Sequence, residues 1–183
     1  YDTASAYFAR FFDLNYSVGA DAPGTEPALA FSLSIGEEME DTGLTSEGNP
    51  ITLAMVGNDI VGSTMTTYQY SGVEPTPIFR ISVDEATGEV TLTQYAQLDH
   101  VGEGEDDNTS NNSANFLGLP EGSIILAASA SITDADGDTA ADSQSLDISG
   151  AFGFDDDAPT VDVNALVQLD DEGLEDGIRG GLD

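Results

Sequence analysis

Apolar and polar residues alternate along most of this chain with the period of a strand. Leu29, Phe31, Leu33 and Ile35 interleave with Ala30, Ser32 and Ser34, the pattern of a half-buried strand. Ile51, Leu53 and Met55 repeat it, and Gly57-Asn58-Asp59 turns the chain toward Ile60 and Val61. Met65 to Tyr70 is rich in Thr and Tyr, as strands are. The clearest hairpin spans Ile78 to Leu98. Phe79, Ile81 and Val83 share one face, Asp84 to Gly88 turn, and Val90 and Leu92 return. Ile124, Leu126, Ala128, Ala130 and Ile132 predict a long strand, Leu146 and Ile148 the next, and Val161 and Val163 another. Helical spacing occurs at Phe8, Phe11 and Phe12, where Asp2 or Thr3 could cap a short helix within Asp2 to Asn15; a strand is the alternative. Glu37 to Asn49 reads as an acidic, Gly-punctuated connection, and Glu103 to Asn115 as a long polar loop. About eight or nine short strands with regularly spaced turns predict an all-β protein, an antiparallel β-sandwich with long acidic loops and one short helix.

Composition changes the picture through charge. The chain has 183 residues and 39% apolar content, enough for one domain with a real core. Thirty-five Asp and Glu face three basic residues, Arg10, Arg80 and Arg179, for a net charge of −32 with no lysine. Such charge opposes a compact state unless cations bind. Adaptation to high salt and cation ligation both account for it. The acids gather in loops (Glu103 to Asp107, Asp134 to Asp138, Asp155 to Asp157, Asp170 to Glu172), which favours ligation. Nucleic acid is excluded as a partner, because phosphate contacts need Lys and Arg patches. An anionic membrane surface is disfavoured for the same reason. No apolar run approaches the roughly 20 residues of a spanning helix. No signal peptide is visible, and the chain is expected to be part of something longer. With no cysteine there is no disulfide framework, so an extracellular version would need another staple.

The candidate chemistry centres on Ile132-Thr133-Asp134-Ala135-Asp136-Gly137-Asp138-Thr139. Carboxylates at alternate positions, with a glycine letting the backbone turn, can aim several oxygens at one point. Ca²⁺ suits this, since it accepts six to eight oxygens in loose geometry, whereas Mg²⁺ demands a strict octahedron. A solvated acidic β-turn fits the same residues, because Asp and Gly are turn formers for local reasons. Asp155, Asp156 and Asp157 could approach Asp134, Asp136 and Asp138 if both loops sit at one end of the sandwich. Asp99 follows a strand and could join, Asp21 lies in a Gly- and Pro-rich loop, and Asp170, Asp171 and Glu172 could bind at a junction with a following module. Zinc lacks support, with no Cys and a single His. Enzymatic activity is not expected: His100 beside Asp99 does not make a triad, and Asp106 with Asp107 is a pair that chance supplies among so many acids. Tyr68, Tyr70 and Tyr95 suit cross-strand packing better than a binding groove. The organisation is thus a calcium-binding sandwich over 1–165, followed by 166–183 as a linker or the start of a further repeat.

The run Phe79 to Gln94, followed by Leu98-Asp99-His100, resembles the repeat units of giant RTX adhesins and related type I-secreted bacterial surface proteins. Thr133 to Asp138 is similar to that group's TDADGD segment, Asp155 to Pro159 to its DDxP repeat ending, Val18 to Asp21 to its GAD loop, and Leu169 to Leu174 to the opening of a further repeat. The resemblance implies an immunoglobulin-like, Greek-key sandwich that is secreted unfolded and folds outside the bacterial cell around several calcium ions. The nonapeptide GGxGxDxUx is missing, so no calcium β-roll is expected. Two roles follow: an adhesion module that binds a protein, peptide or glycan on a target cell, and a passive calcium-rigidified spacer. Binding would use an ion with open coordination or an exposed edge strand that accepts a partner's strand.

Overall fold

The period-two segments become strands in the computed structural model, which describes residues 1–13, 28–37, 40–64, 76–99, 117–133, 137–154 and 159–161. These residues form β1 (Asp2–Tyr7), β2 (Ala28–Ile35), β3 (Asp41–Ser46), β4 (Asn49–Val56), β5 (Asp59–Ser63), β6 (Phe79–Val83), β7 (Glu89–Gln94), β8 (Leu117–Gly118), β9 (Ile124–Thr133), β10 (Thr139–Asp147), β11 (Phe152–Phe154) and β12 (Pro159–Val161). Two single-turn 3₁₀ helices, Ala9–Phe11 and Ser149–Ala151, complete the described elements. The expected strand Met65 to Tyr70, the polar loop Glu103 to Asn115, Val163 and the stretch 166–183 lie outside the described residues.

The architecture is all-β, with antiparallel sheets in a sandwich. One sheet is six-stranded in the order β1-β7-β6-β5-β4-β3, a meander from β3 to β7 with β1 added beside β7. A second has the order β10-β9-β2, and a short third the order β12-β11-β8. β2 packs across β4, β5 and β6, so its sheet faces the six-stranded one. Phe31 and Leu33 of β2 and Ile124, Leu126 and Ala128 of β9 join Ile51, Leu53, Ile60, Ile81, Val90 and Leu92 in one buried cluster. Burying such a side chain is worth about 1.5–3 kcal/mol relative to leaving it exposed, and this face-to-face burial holds the sheets together. Phe79 reaches across to Phe154 with ring centroids 4.8 Å apart. Its ring also lies on Gly62, where an added Cβ would come within 2.3 Å.

Three elements differ from expectation. The aromatic N-terminal run is a strand through Tyr7, followed by a single 3₁₀ turn rather than an amphipathic helix. β1 pairs in unbroken register with β7, from Asp2↔Gln94 to Tyr7↔Glu89, and the buried Ala6 and Phe8 keep the period of two. A helix so short is costly to nucleate, and an available sheet edge satisfies the backbone better. The acidic connection Glu37 to Asn49 contains β3, whose inward positions are Thr42, Leu44 and Ser46. Thr42 Oγ1 donates to Ile51 O at 2.7 Å and Ser46 Oγ to Gln97 O at 2.6 Å, so hydroxyls occupy positions where alternation looks for apolar residues. β10 is longer than Leu146 and Ile148 suggest and is exposed over most of its length, while Ile148 is buried just beyond its end.

Candidate metal-binding loops

β9 and β10 pair antiparallel, and Asp134 to Asp138 lie between Thr133 and Thr139 in the sequence. Thr133 and Thr139 close the ladder as direct partners, with their hydroxyl oxygens 3.2 Å apart. Gly137 has φ of +98°, a left-handed backbone that other L-residues resist, and it lets the chain enter β10 immediately after Asp138. Asp138, just before β10, is exposed. Asp134 and Asp136 lie outside the described residues, as do Asp21, Asp155, Asp156, Asp157, Asp170, Asp171 and Glu172. Among the described residues no group of three or more His, Cys, Asp or Glu is arranged to hold a metal.

Asp99 has a structural task. Its carboxylate accepts from Glu47 N at 2.9 Å and Gly48 N at 2.7 Å, and its own N–H donates to Thr45 O at 2.8 Å. Glu47 and Gly48 form the β3–β4 turn with φ of +51° and +74°. Left-handed backbone at a glutamate is unfavourable, and a carboxylate cradled by the two amides offsets it.

Other described acids do the same, and sequence reasoning missed them. Asp84 Oδ1 accepts from Ala86 N at 3.0 Å and Thr87 N at 2.8 Å, closing the β6–β7 turn. Those bonds hold its carboxyl below the ordinary aspartate value: the Thr87 amide contributes most, then the Thr87 hydroxyl and the Ala86 amide. Asp147 accepts from Gly122 N at 2.7 Å, Ser149 N at 2.9 Å and Ser149 Oγ at 2.5 Å, tying the approach to β9 to the 3₁₀ turn after β10. Asp41 accepts from Gly43 N at 3.0 Å. The readable signal was local: an Asp whose target amide lies two or three residues ahead is an Asx turn.

Two further features shape the surface electrostatics. Arg80 Nη1 meets Asp59 Oδ2 at 2.7 Å across β5 and β6. Tyr7 is exposed, and its hydroxyl is shifted above the ordinary tyrosine value, chiefly by its hydrogen bond to Glu89 and then by that carboxylate's charge. Tyr95 stacks on Tyr1 with centroids 6.2 Å apart, a surface pair, while Tyr68, Tyr70, His100, Asp106 and Asp107 lie outside the described residues.

The sequence of residues 1–149 matches the model of a family described as a domain of unknown function, DUF5801. The chain belongs to that family. No curated protein and no solved structure matches it. The folded unit of this DUF5801 domain reaches past the matched segment, since Phe152 and Phe154 are fully buried in the common cluster. Candidate chemistry in the domain is therefore of two kinds: carboxylates committed to backbone amides, and the acid-rich turn between β9 and β10.

Proposed function

We propose that this DUF5801 domain is a calcium-stabilised extracellular module of a large bacterial RTX adhesin, one that takes part in adhesion by binding a protein or peptide ligand, or a glycan, on a host or neighbouring cell. The observation that carries the reading is the β9–β10 turn, where alternating carboxylates and a left-handed Gly137 sit at a strand-end hairpin of a chain with net charge −32. The donor set is all oxygen, as a hard divalent cation requires, and a loop of this kind tolerates calcium's loose geometry. Asp134, Asp136 and Asp138 would hold the ion, which would neutralise carboxylates that otherwise repel. The same charge supports the export logic: low calcium inside the cell leaves the acids unneutralised and opposes folding, and calcium outside favours it. Type I secretion and placement at the cell surface come from the sequence resemblance.

Thermal and urea unfolding with calcium, with magnesium and with chelator tests the reading. Calcium at a hundredfold excess over its Kd should stabilise the domain by about 2.7 kcal/mol per native-state site. Identical unfolding with calcium and with chelator would overturn it. A ligand-array screen with and without chelator then separates an adhesion module from a spacer.

A further inference from the structure

β10 forms one edge of the three-stranded sheet, and among the described residues no strand pairs with its outer side. Exposed edges usually carry some protection: a bulge, a proline, a lysine or a covering segment. At the far edge of the large sheet, β3 has a register shift between Asp41 and Thr45, and Thr45 O is taken by the Asp99 amide. β1, at the other edge, lies alongside β12. β2 donates its Phe31 amide to Glu85 O. β10 has neither bulge nor proline, and it meets another part of the chain at Gln144, whose Nε2 donates to Asp13 O at 2.8 Å. Its register to β9 runs unbroken from Thr139↔Thr133 to Asp147↔Ile125, it contains no proline or lysine, and among the described residues no strand pairs with its other side.

The chemistry beside that edge selects an occupant. β2, β9 and β10 contain no basic residue, whereas Asp142 stands exposed mid-strand on β10. Asp142 Oδ1 accepts from the neighbouring Ser143 N at 2.8 Å, an exposed local bond that pairing can replace. On the outer face, the register puts Ala30, Ser129 and Ser143 in one row across the sheet, and Ser131 and Ala141 in the next. These small side chains leave an open depression of about 420 Å³. Aromatic side chains on an added strand reach diagonal neighbours across a ladder, so they can lie over this floor while the intervening residues face Asp142. A second copy of the chain fits poorly, because it brings the same uncompensated negative charge.

We infer that β10 is a docking edge for an extended segment of a partner protein, one that alternates Lys or Arg with large, preferably aromatic, side chains and adds as a further strand. The inference rests on the ligand-binding part of the proposed function and names the partner's chemistry. Backbone bonds supply the attachment, and the alternating side chains supply selectivity.

Amide hydrogen exchange on the full chain tests it, with a synthetic peptide alternating lysine with tyrosine and valine as the probe. Added protection should appear over residues 139–147 and vanish when alternate peptide amides are N-methylated, a change that keeps the charge but blocks pairing. Asp142→Lys should weaken binding about fivefold to tenfold by replacing attraction with repulsion. Asp142 is an exposed surface position, so this variant keeps the fold, which the unfolding curve verifies. Full binding by the N-methylated peptide, or no protection at β10, would overturn the inference. So would self-association through β10 detected by sedimentation. Protection at a different edge would overturn it while leaving the adhesion reading standing, and the calcium test above is independent of all these outcomes.

Discussion

The β6–β7 and β9–β10 hairpins both turn through acid and glycine, yet they use those residues differently. In the first, Asp84 bonds the amides of Ala86 and Thr87, and Gly88 sits under the Phe31 ring, where an added Cβ would touch ring carbons at 3.0 Å. The turn is locked by its own backbone and by the opposite sheet. In the second, Gly137 has nothing within 4 Å of an added Cβ, and the turn leads into a strand that is exposed for most of its length. One carboxylate facing two amides is satisfied without an ion. On the proposed function, Asp134, Asp136 and Asp138 are instead neutralised by an ion. The contrast separates acids that staple loops from those of the β9–β10 connection, which the proposed function assigns to a cation.

Substitution at the two glycines should show the largest difference. Gly88→Ala combines left-handed strain with displacement of Phe31, and we expect a loss of about 2–4 kcal/mol in urea unfolding. Gly137→Ala carries backbone strain alone, about 1–2 kcal/mol. Equal losses would break the comparison. A smaller effect should come from the acids themselves. On the proposed function, Asp136→Asn reduces the stabilisation gained on adding calcium, while Asp84→Asn lowers stability by the same amount with and without calcium. Calcium dependence at Asp84 would merge the two classes. The smallest effect is on pH dependence. The folded Asp84 carboxyl sits below its ordinary value, so its contribution is present above the unfolded aspartate value and is lost as pH falls through the depressed one. An NMR titration should find the Asp84 resonance moving at lower pH than that of an unfolded aspartate, and Thr87→Gly, which removes the hydroxyl but keeps the amide, should move it part of the way back.

Sequence alone carried the strands whose inward residues are large and apolar. β2, β4, β6, β7 and β9 were legible because Phe31, Leu53, Ile81, Leu92 and Leu126 announce their faces at a period of two. The turn at Asp84 to Gly88 and the end of the long strand β9 at Thr133 were legible for the same reason. β3 was hidden because Thr42 and Ser46 fill inward places and are satisfied by carbonyls of Ile51 and Gln97, partners found only after folding. β1 was hidden because a pairing with β7, more than eighty residues away, outcompeted a local helical spacing. Asp99 shows the division most clearly. Its position after a strand was readable, but its carboxylate closes the Glu47–Gly48 turn some fifty residues earlier in the chain. Local periodicity determined the strands that carry large apolar faces, and the sequence itself shows where acid accumulates. Tertiary structure decided which carboxylates are consumed by backbone amides and which strands pair, since both depend on contacts between residues far apart in sequence.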